Sequence, residues 1–244
     1  MSTSLYAALK YLRTNILDDT GGTGVAWDQI AETDPSASQL RWKNEELTNY
    51  INEALIKAFR GSLLKKDFNS MFNISIVAGT STYTIDSRIL QILDNQLVST
   101  GKELSPMSTE DLFKIPNWDT NAKTPTHYIP DELTDSIFIY PQPVINDTLK
   151  LVVYRLPLNT LSWTNAFTAQ STILEIKDSY VISLLNGAAS LAYLKDEANT
   201  YDPQRSALFK QLFENEFEVS SVYSDTKKLR TPKNSIDYGG IKIN

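Results

Sequence analysis

The spacing of apolar residues changes twice along this chain, and those two changes constrain its fold more than any single motif. Near the start, Leu5, Leu9, Leu12 and Ile16 recur at the spacing of one helical face. Leu47, Ile51, Ala54, Leu55, Ala58 and Phe59 then draw a second stripe, with Asn44 as the expected N-cap, Glu45 and Glu46 in the first turn and Gly61 as the stop. From Phe72 the period drops to two. Phe72, Ile74 and Ile76 alternate with Asn73, Ser75 and Val77, a turn follows at Gly79, and Tyr83 and Ile85 resume the alternation, which predicts two strands that pair. Stretches 88–98, 136–140 and 148–156 read as further strands, with a turn at 99–102 and the linker PQPVIND. Ser108 and Asp111 resemble a capping box for a short helix before Pro116. Helical spacing returns with Val181, Leu184, Leu185, Ala188, Leu191 and Ala192. A last helix carries Leu208, Phe209, Leu212, Phe213 and Phe217, with Glu214, Glu216 and Glu218 pointing away, and fades around 222–224.

Two helices before a β-rich stretch and two after it predict an α+β chain. Its N- and C-terminal helix pairs (residues 1–66 and 171–224) form a helical bundle, with a β-rich module (67–170) inserted between them. The stretch 21–39, rich in Gly, Ser, Thr and Asp, reads as a long ordered loop that Trp27 and Ile30 hold against something. Residues 225–244 read as an extended tail with too few apolar residues to fold alone, a kind of segment that a partner usually orders. The chain carries −6 overall, but in this tail Lys227, Lys228, Arg230, Lys233 and Lys242 outnumber Asp225 and Asp237, a net +3 that leaves −9 on the body.

That charge argues against tight nucleic-acid binding, which needs clustered Lys and Arg. The absence of cysteine excludes disulfides, thiolate zinc sites and cysteine nucleophiles. The start has no basic segment followed by an apolar run, and no apolar run reaches membrane-spanning length, so a soluble, unprocessed protein is expected. His127 is the one histidine. A metal ligand or general base needs partners of a kind this sequence does not supply, and a structural role is the simpler expectation. GGTG at 21–24 matches neither phosphate-cradle spacing. Among the acidic groups, Asp18 with Asp19 ends a helix, and Glu45 with Glu46 and Glu214, Glu216 and Glu218 fall on predicted solvent faces, which fits solvation better than a calcium or glycosidase site. No enzyme, cofactor or metal is expected. Trp118, Tyr128, Phe138 and Tyr140 could line a sugar groove, which leaves a carbohydrate-binding or host-recognition module as the alternative. Core or interface roles are commoner for strand aromatics.

Six segments in order, RWKNEELTNYINEALIKAF, AGTSTYTI, IPNWDTNAKTPTHYI, IYPQP, LKLVVYRLP and IKDSYVISLLNGAASLAYLKDE, carry a resemblance. Over residues 41–196 the chain resembles the adaptor, or head-to-tail connector, proteins of short-tailed bacteriophages. The resemblance implies a structural virion protein that forms a dodecameric ring beneath the portal, a platform for the tail nozzle or tube, and a channel that genomic DNA crosses without specific binding. It places the protein at the virion neck, after assembly in the host cytoplasm and away from membranes. It makes residues 225–244 the portal-docking tail, with Lys227, Lys228, Arg230 and Lys233 among the basic residues and Leu229, Ile236, Tyr238, Ile241 and Ile243 as apolar anchors. It also makes Trp118, Tyr128 and Tyr140 structural aromatics of the β module. Lys43 departs from the family's usual Ser or Thr, and Asn44 is expected to take over the cap.

Overall fold

A computed structural model describes residues 2–19, 27–28, 40–131, 134–197 and 199–217, and within them the chain is α+β. Helix α1 (Leu5–Tyr11) is capped by Ser4, whose Oγ accepts from the Ala7 N–H at 3.2 Å, and it widens into a π-helical turn over Leu12–Leu17. Leu5, Leu9, Leu12 and Leu17 are buried. Helix α2 (Asn44–Ser62) starts one residue away from the expected cap. Lys43 is the cap position, and its backbone N–H donates to Glu46 Oε2 at 2.8 Å. Asn44 lies inside the first turn because its amide has a more demanding task, described below. The stop also differs: α2 runs through Gly61, and Leu63 takes the left-handed conformation (φ 48) that ends it. Gly61 is there for closeness, since a Cβ would lie 2.4 Å from the Phe217 carbonyl oxygen.

The β region holds two four-stranded sheets. In the first, β8 (Asp147–Arg155) is central. It pairs antiparallel with β1 (Lys66–Asp67) and β2 (Ile74–Ile76) along one edge and with β4 (Ile89–Leu97) along the other. The second runs β3 (Thr82–Thr84), β7 (Ser136–Tyr140), β6 (His127–Asp131), β5 (Ser105–Pro106), with only β5 parallel to its neighbour. The two alternating runs around Gly79 therefore do not pair with each other: β2 joins β8 and β3 joins β7. Gly79 (φ 80) lets the chain change sheets, and the Tyr83 hydroxyl, donating to Thr80 O at 2.6 Å and accepting from Val77 N–H at 3.1 Å, secures the crossing. PQPVIND makes a second crossing from β7 to β8. Ile74, Ile76, Leu149, Leu151 and Val153 of one sheet and Tyr128, Ile137 and Ile139 of the other share one core with Phe72, which lies in a 3-10 turn (Ser70–Phe72) just before β2 rather than in the strand. Helix α3 (Thr109–Phe113) begins at Ser108, whose Oγ accepts from the Asp111 N–H at 3.1 Å, as its capping signal predicts.

A second core gathers the helices. α2 packs on α5 (Val181–Ala192), α5 on α6 (Pro203–Phe217), and α1 on both α2 and α4 (Ala166–Ser171). After β8 the chain joins this core at Leu161, whose backbone N–H and C=O both pair with the Asn52 side chain (2.9 and 2.8 Å). Gly187 admits the Phe213 ring, which a Cβ would approach to 2.5 Å. The α6 stripe is only partly used. Phe213 and Phe217 are buried and Phe209 stacks on Tyr193, but Leu208 and Leu212 are 54% and 43% exposed because α6 has its packing partners on one side. Glu218 and 222–224 lie outside the described residues.

Arg13, fully buried, ties these pieces together. Its Nη1 donates to Asp19 Oδ2 at 2.6 Å, its Nη2 to Trp42 O at 2.6 Å and Asn44 Oδ1 at 2.8 Å, and its Nε to Asn44 Oδ1 at 3.0 Å. Asp19 also accepts from the Arg41 and Trp42 N–H groups (3.0 and 3.3 Å). Removing one member of such a buried pair strands the other's charge, a cost of about 3–5 kcal/mol. Arg13→Ala should lose about that much stability in denaturant unfolding. The paired replacement Arg13→Met/Asp19→Leu should lose markedly less, and equal losses would show that packing, not stranded charge, sets the cost.

Candidate assembly surfaces

The aromatics singled out in the β region separate into two places. Tyr128 is buried in the core between the sheets, where burial and then the nearby Asp94 charge push its hydroxyl pKa up. Tyr140 is buried in a smaller cluster with Leu112 and Ile129, and its hydroxyl accepts from Asn121 Nδ2 at 2.9 Å. Trp118 packs against that cluster, half-buried, with its ring edge-on to Phe113 and Phe138 (5.6 and 6.1 Å). These side chains are engaged with protein neighbours. His127 is half-buried on β6, its ring 6.5 Å from that of Tyr140 and its Nδ1 2.8 Å from Thr126 Oγ1. Among the described residues no three His, Cys, Asp or Glu side chains are grouped to hold a metal, and no helix is long and apolar enough to cross a membrane. The tail residues Lys227, Lys228, Leu229, Arg230, Lys233, Ile236, Tyr238, Ile241 and Ile243 lie outside the described residues.

Where the β region meets the helices, Arg155 at the end of β8 is buried. Its Nε donates to Asp67 Oδ2 at 2.6 Å, its Nη2 to Glu175 Oε1, and its Nη1 to Leu156 O at 2.8 Å. Glu175 Oε2 accepts in turn from the Leu158 N–H at 2.8 Å. One guanidinium thus joins β1, β8 and the stretch leading to α5. Beside it runs a cleft of about 1200 Å³, lined from the helical side by Leu55, Phe59 and Ile176 and from the β side by Lys66 and Tyr154. Burial pushes Glu175 up, but the Arg155 hydrogen bond and charge and the Leu158 N–H outweigh it and hold the carboxyl below its ordinary value. Asp67 is held low by the same balance, with Arg155 and the Asn69 N–H opposing burial.

The surface also exposes large apolar side chains. Phe68 and Phe167 are 80% and 82% exposed, and Val77, Val98, Val144 and Ile145 stand out on the β-region loops. Three of those loops are laced together: Gly79 N–H donates to Pro143 O at 2.8 Å, Ala78 N–H to Asn146 Oδ1 at 2.9 Å, and Ser99 Oγ to Asp147 at 2.5 Å. Exposed apolar side chains on loops tied together by hydrogen bonds suit contact with another protein.

Residues 9–233, most of the chain, match the family model described as SU10 adaptor protein. The chain belongs to that family. It is a phage adaptor protein, and no curated protein matches it.

In this adaptor the residues that sequence reasoning missed are the buried ion pairs. Arg13 carried a legible signal: it stands four residues after Leu9, on the apolar stripe of its own helix, where an arginine must find buried partners. Arg155 carried less, because Asp67 and Glu175 come from distant parts of the chain. The depressed carboxyls give the adaptor's joint a pH dependence. Both groups keep their charge to lower pH folded than unfolded, so their contribution is complete above about pH 4 and is lost as pH falls through the lower folded values. Unfolding free energies measured between about pH 6 and pH 3 should fall less steeply for Glu175→Gln than for the unaltered chain. Parallel profiles would assign the acid sensitivity elsewhere.

Proposed function

We propose that this phage adaptor assembles as a dodecameric ring between the portal and the tail nozzle, at the virion neck, after assembly in the host cytoplasm. The family match over residues 9–233 carries this reading. The helices, a bundle in this reading, are the parts that meet neighbouring subunits, and Leu208 and Leu212 on α6 are apolar residues available for such contact. The β module, joined to the helices through Arg155, presents the laced loops as a platform for the tail protein. Genomic DNA passes through the ring without specific binding, and the −9 on residues 1–224 suits that role, since clustered positive charge would hold phosphates and slow the genome. The protein performs no catalysis in this scheme.

Residues 225–244 dock on the portal. Exposed charges are screened within about 8 Å and single surface pairs contribute roughly 0–1 kcal/mol, so the Lys and Arg residues speed encounter. Leu229, Ile236, Tyr238, Ile241 and Ile243 slow release, since each buried aliphatic side chain contributes about 1.5–3 kcal/mol before ordering costs. Because a tail of this composition is ordered at a partner's expense, the purified chain should sediment as a monomer at micromolar concentration and form rings when portal is added. A stable dodecamer without portal would contradict that order of assembly. Deleting residues 225–244 should leave helix content unchanged and abolish attachment to portal-containing heads. Attachment at full affinity would move the docking site to the body.

A further inference from the structure

The strands and the helices keep separate cores, and no buried residue belongs to both. Among the described residues the chain crosses between them twice. At the first crossing Ser62 Oγ donates to the Phe217 carbonyl at 2.8 Å and the Arg155 N–H donates to the Lys65 carbonyl at 3.1 Å, which leaves Leu63 and Leu64 to span the gap. Leu63 is left-handed there (φ 48), a conformation unfavourable for leucine. At the second crossing Arg88 Nη1 donates to Leu158 O at 3.3 Å and Asn52 holds Leu161, which leaves the exposed residues Asn159 and Thr160. Two short crossings between two separately packed bodies are the usual makings of a hinge.

The other polar links across the joint converge on one carboxylate. Among the described residues, the hydrogen bonds from the β region to the helical side come from Arg155 Nη2 and from the Leu158 N–H (2.8 Å), and Glu175 accepts both. Glu175 itself is fixed to the helices. Beside it the Leu174 N–H donates to Thr3 O at 3.0 Å, and the Leu5 N–H, at the start of α1, donates to Thr172 O at 2.8 Å. Leu174 is buried in the helical core. Leu64 and Leu156 rest against that core and Leu158 against the core between the sheets, so residues at the crossings supply apolar contact at the joint. Alongside lies the cleft of about 1200 Å³, with Leu55 and Phe59 on one wall and Lys66 and Tyr154 on the other. Its walls have room to approach or part.

We propose that the β region pivots as one body on residues 63–64 and 159–160, with the Glu175 carboxylate as the latch that sets the width of the cleft. Opening the joint then breaks two hydrogen bonds and repacks neither core. Arg155 keeps Asp67 and the Leu156 carbonyl as partners when Glu175 is withdrawn, so the buried guanidinium is never left alone. The inference goes beyond the adaptor reading: it concerns a motion within one chain and holds whether or not that chain forms a ring.

Distances between spin labels test this, and a chain without cysteine takes labels only where cysteines are introduced. Glu53→Cys with Lys123→Cys spans the joint from exposed positions, and Lys102→Cys with Lys123→Cys lies within the β region. The labelled full-length chain is measured in excess unlabelled chain, which removes distances between copies. Both pairs should give one narrow distance while Glu175 is present. With Glu175→Ala the spanning pair should lose that narrow distance and spread, while the pair within the β region keeps its own. An unchanged narrow spanning distance in Glu175→Ala overturns the proposal, as does a spanning distance already spread with Glu175 in place. Spreading of the inner pair would mean that the β region has unfolded, and Glu175→Gln, which keeps one acceptor, is then read by the same two outcomes. Failure to form rings on portal would overturn the adaptor reading and leave these distances as they are, so the two fail separately.

Discussion

A guanidinium with no exposed surface must be surrounded by acceptors, and the Arg13 side chain is the place from which the rest of the helical half is set. Its acceptors come from Asp19, just past the π-helical turn, and from Trp42 and Asn44, which bring the chain into α2. Trp27 lies 5.7 Å from the guanidinium as a cation–π partner. Residues 41–44 therefore lie beside Asp19, where the first helical segment ends. Trp42 then carries the constraint onward, its Nε1 donating to Ala192 O at 2.9 Å at the end of α5. With that end of the α2–α5 pair placed, Gly187 and Gly61 are the positions where α6 comes close.

Much of this architecture was legible from spacing. The change from helical period to alternation and back marks the helices and strands, and Ser108 with Asp111 locates α3. Strand partners were not legible, because alternation tells which face of a strand is buried and not which neighbour it pairs with. β2 and β3 look like a hairpin and lie in different sheets. Asn44 reads as a cap because isolated helices favour it there, yet a buried arginine has the stronger claim on its carbonyl oxygen. Gly61 reads as a stop for the same local reason, and its role is set by Phe217, far away in the chain.

The candidate surfaces follow the same division. Tyr128 and Tyr140 stand on predicted strands and Trp118 in a turn, and in the fold all three rings lie against protein neighbours. Arg155 with Asp67 and Glu175 could not be read from the sequence, since the three residues meet only once β1, β8 and the approach to α5 are assembled. There a buried guanidinium, hydrogen-bonded to both carboxylates and to the Leu156 carbonyl, fixes how the end of β8 meets the approach to α5.

The central claim is that this family member works as a ring at the virion neck. A cryo-electron microscopy map of the neck of the intact particle tests it most directly. The account predicts a dodecameric ring of this chain directly beneath the portal, its C-terminal residues against portal subunits and its β module toward the tail. Density for the chain at the periphery of the tail, or a ring that makes no contact with the portal, would contradict it.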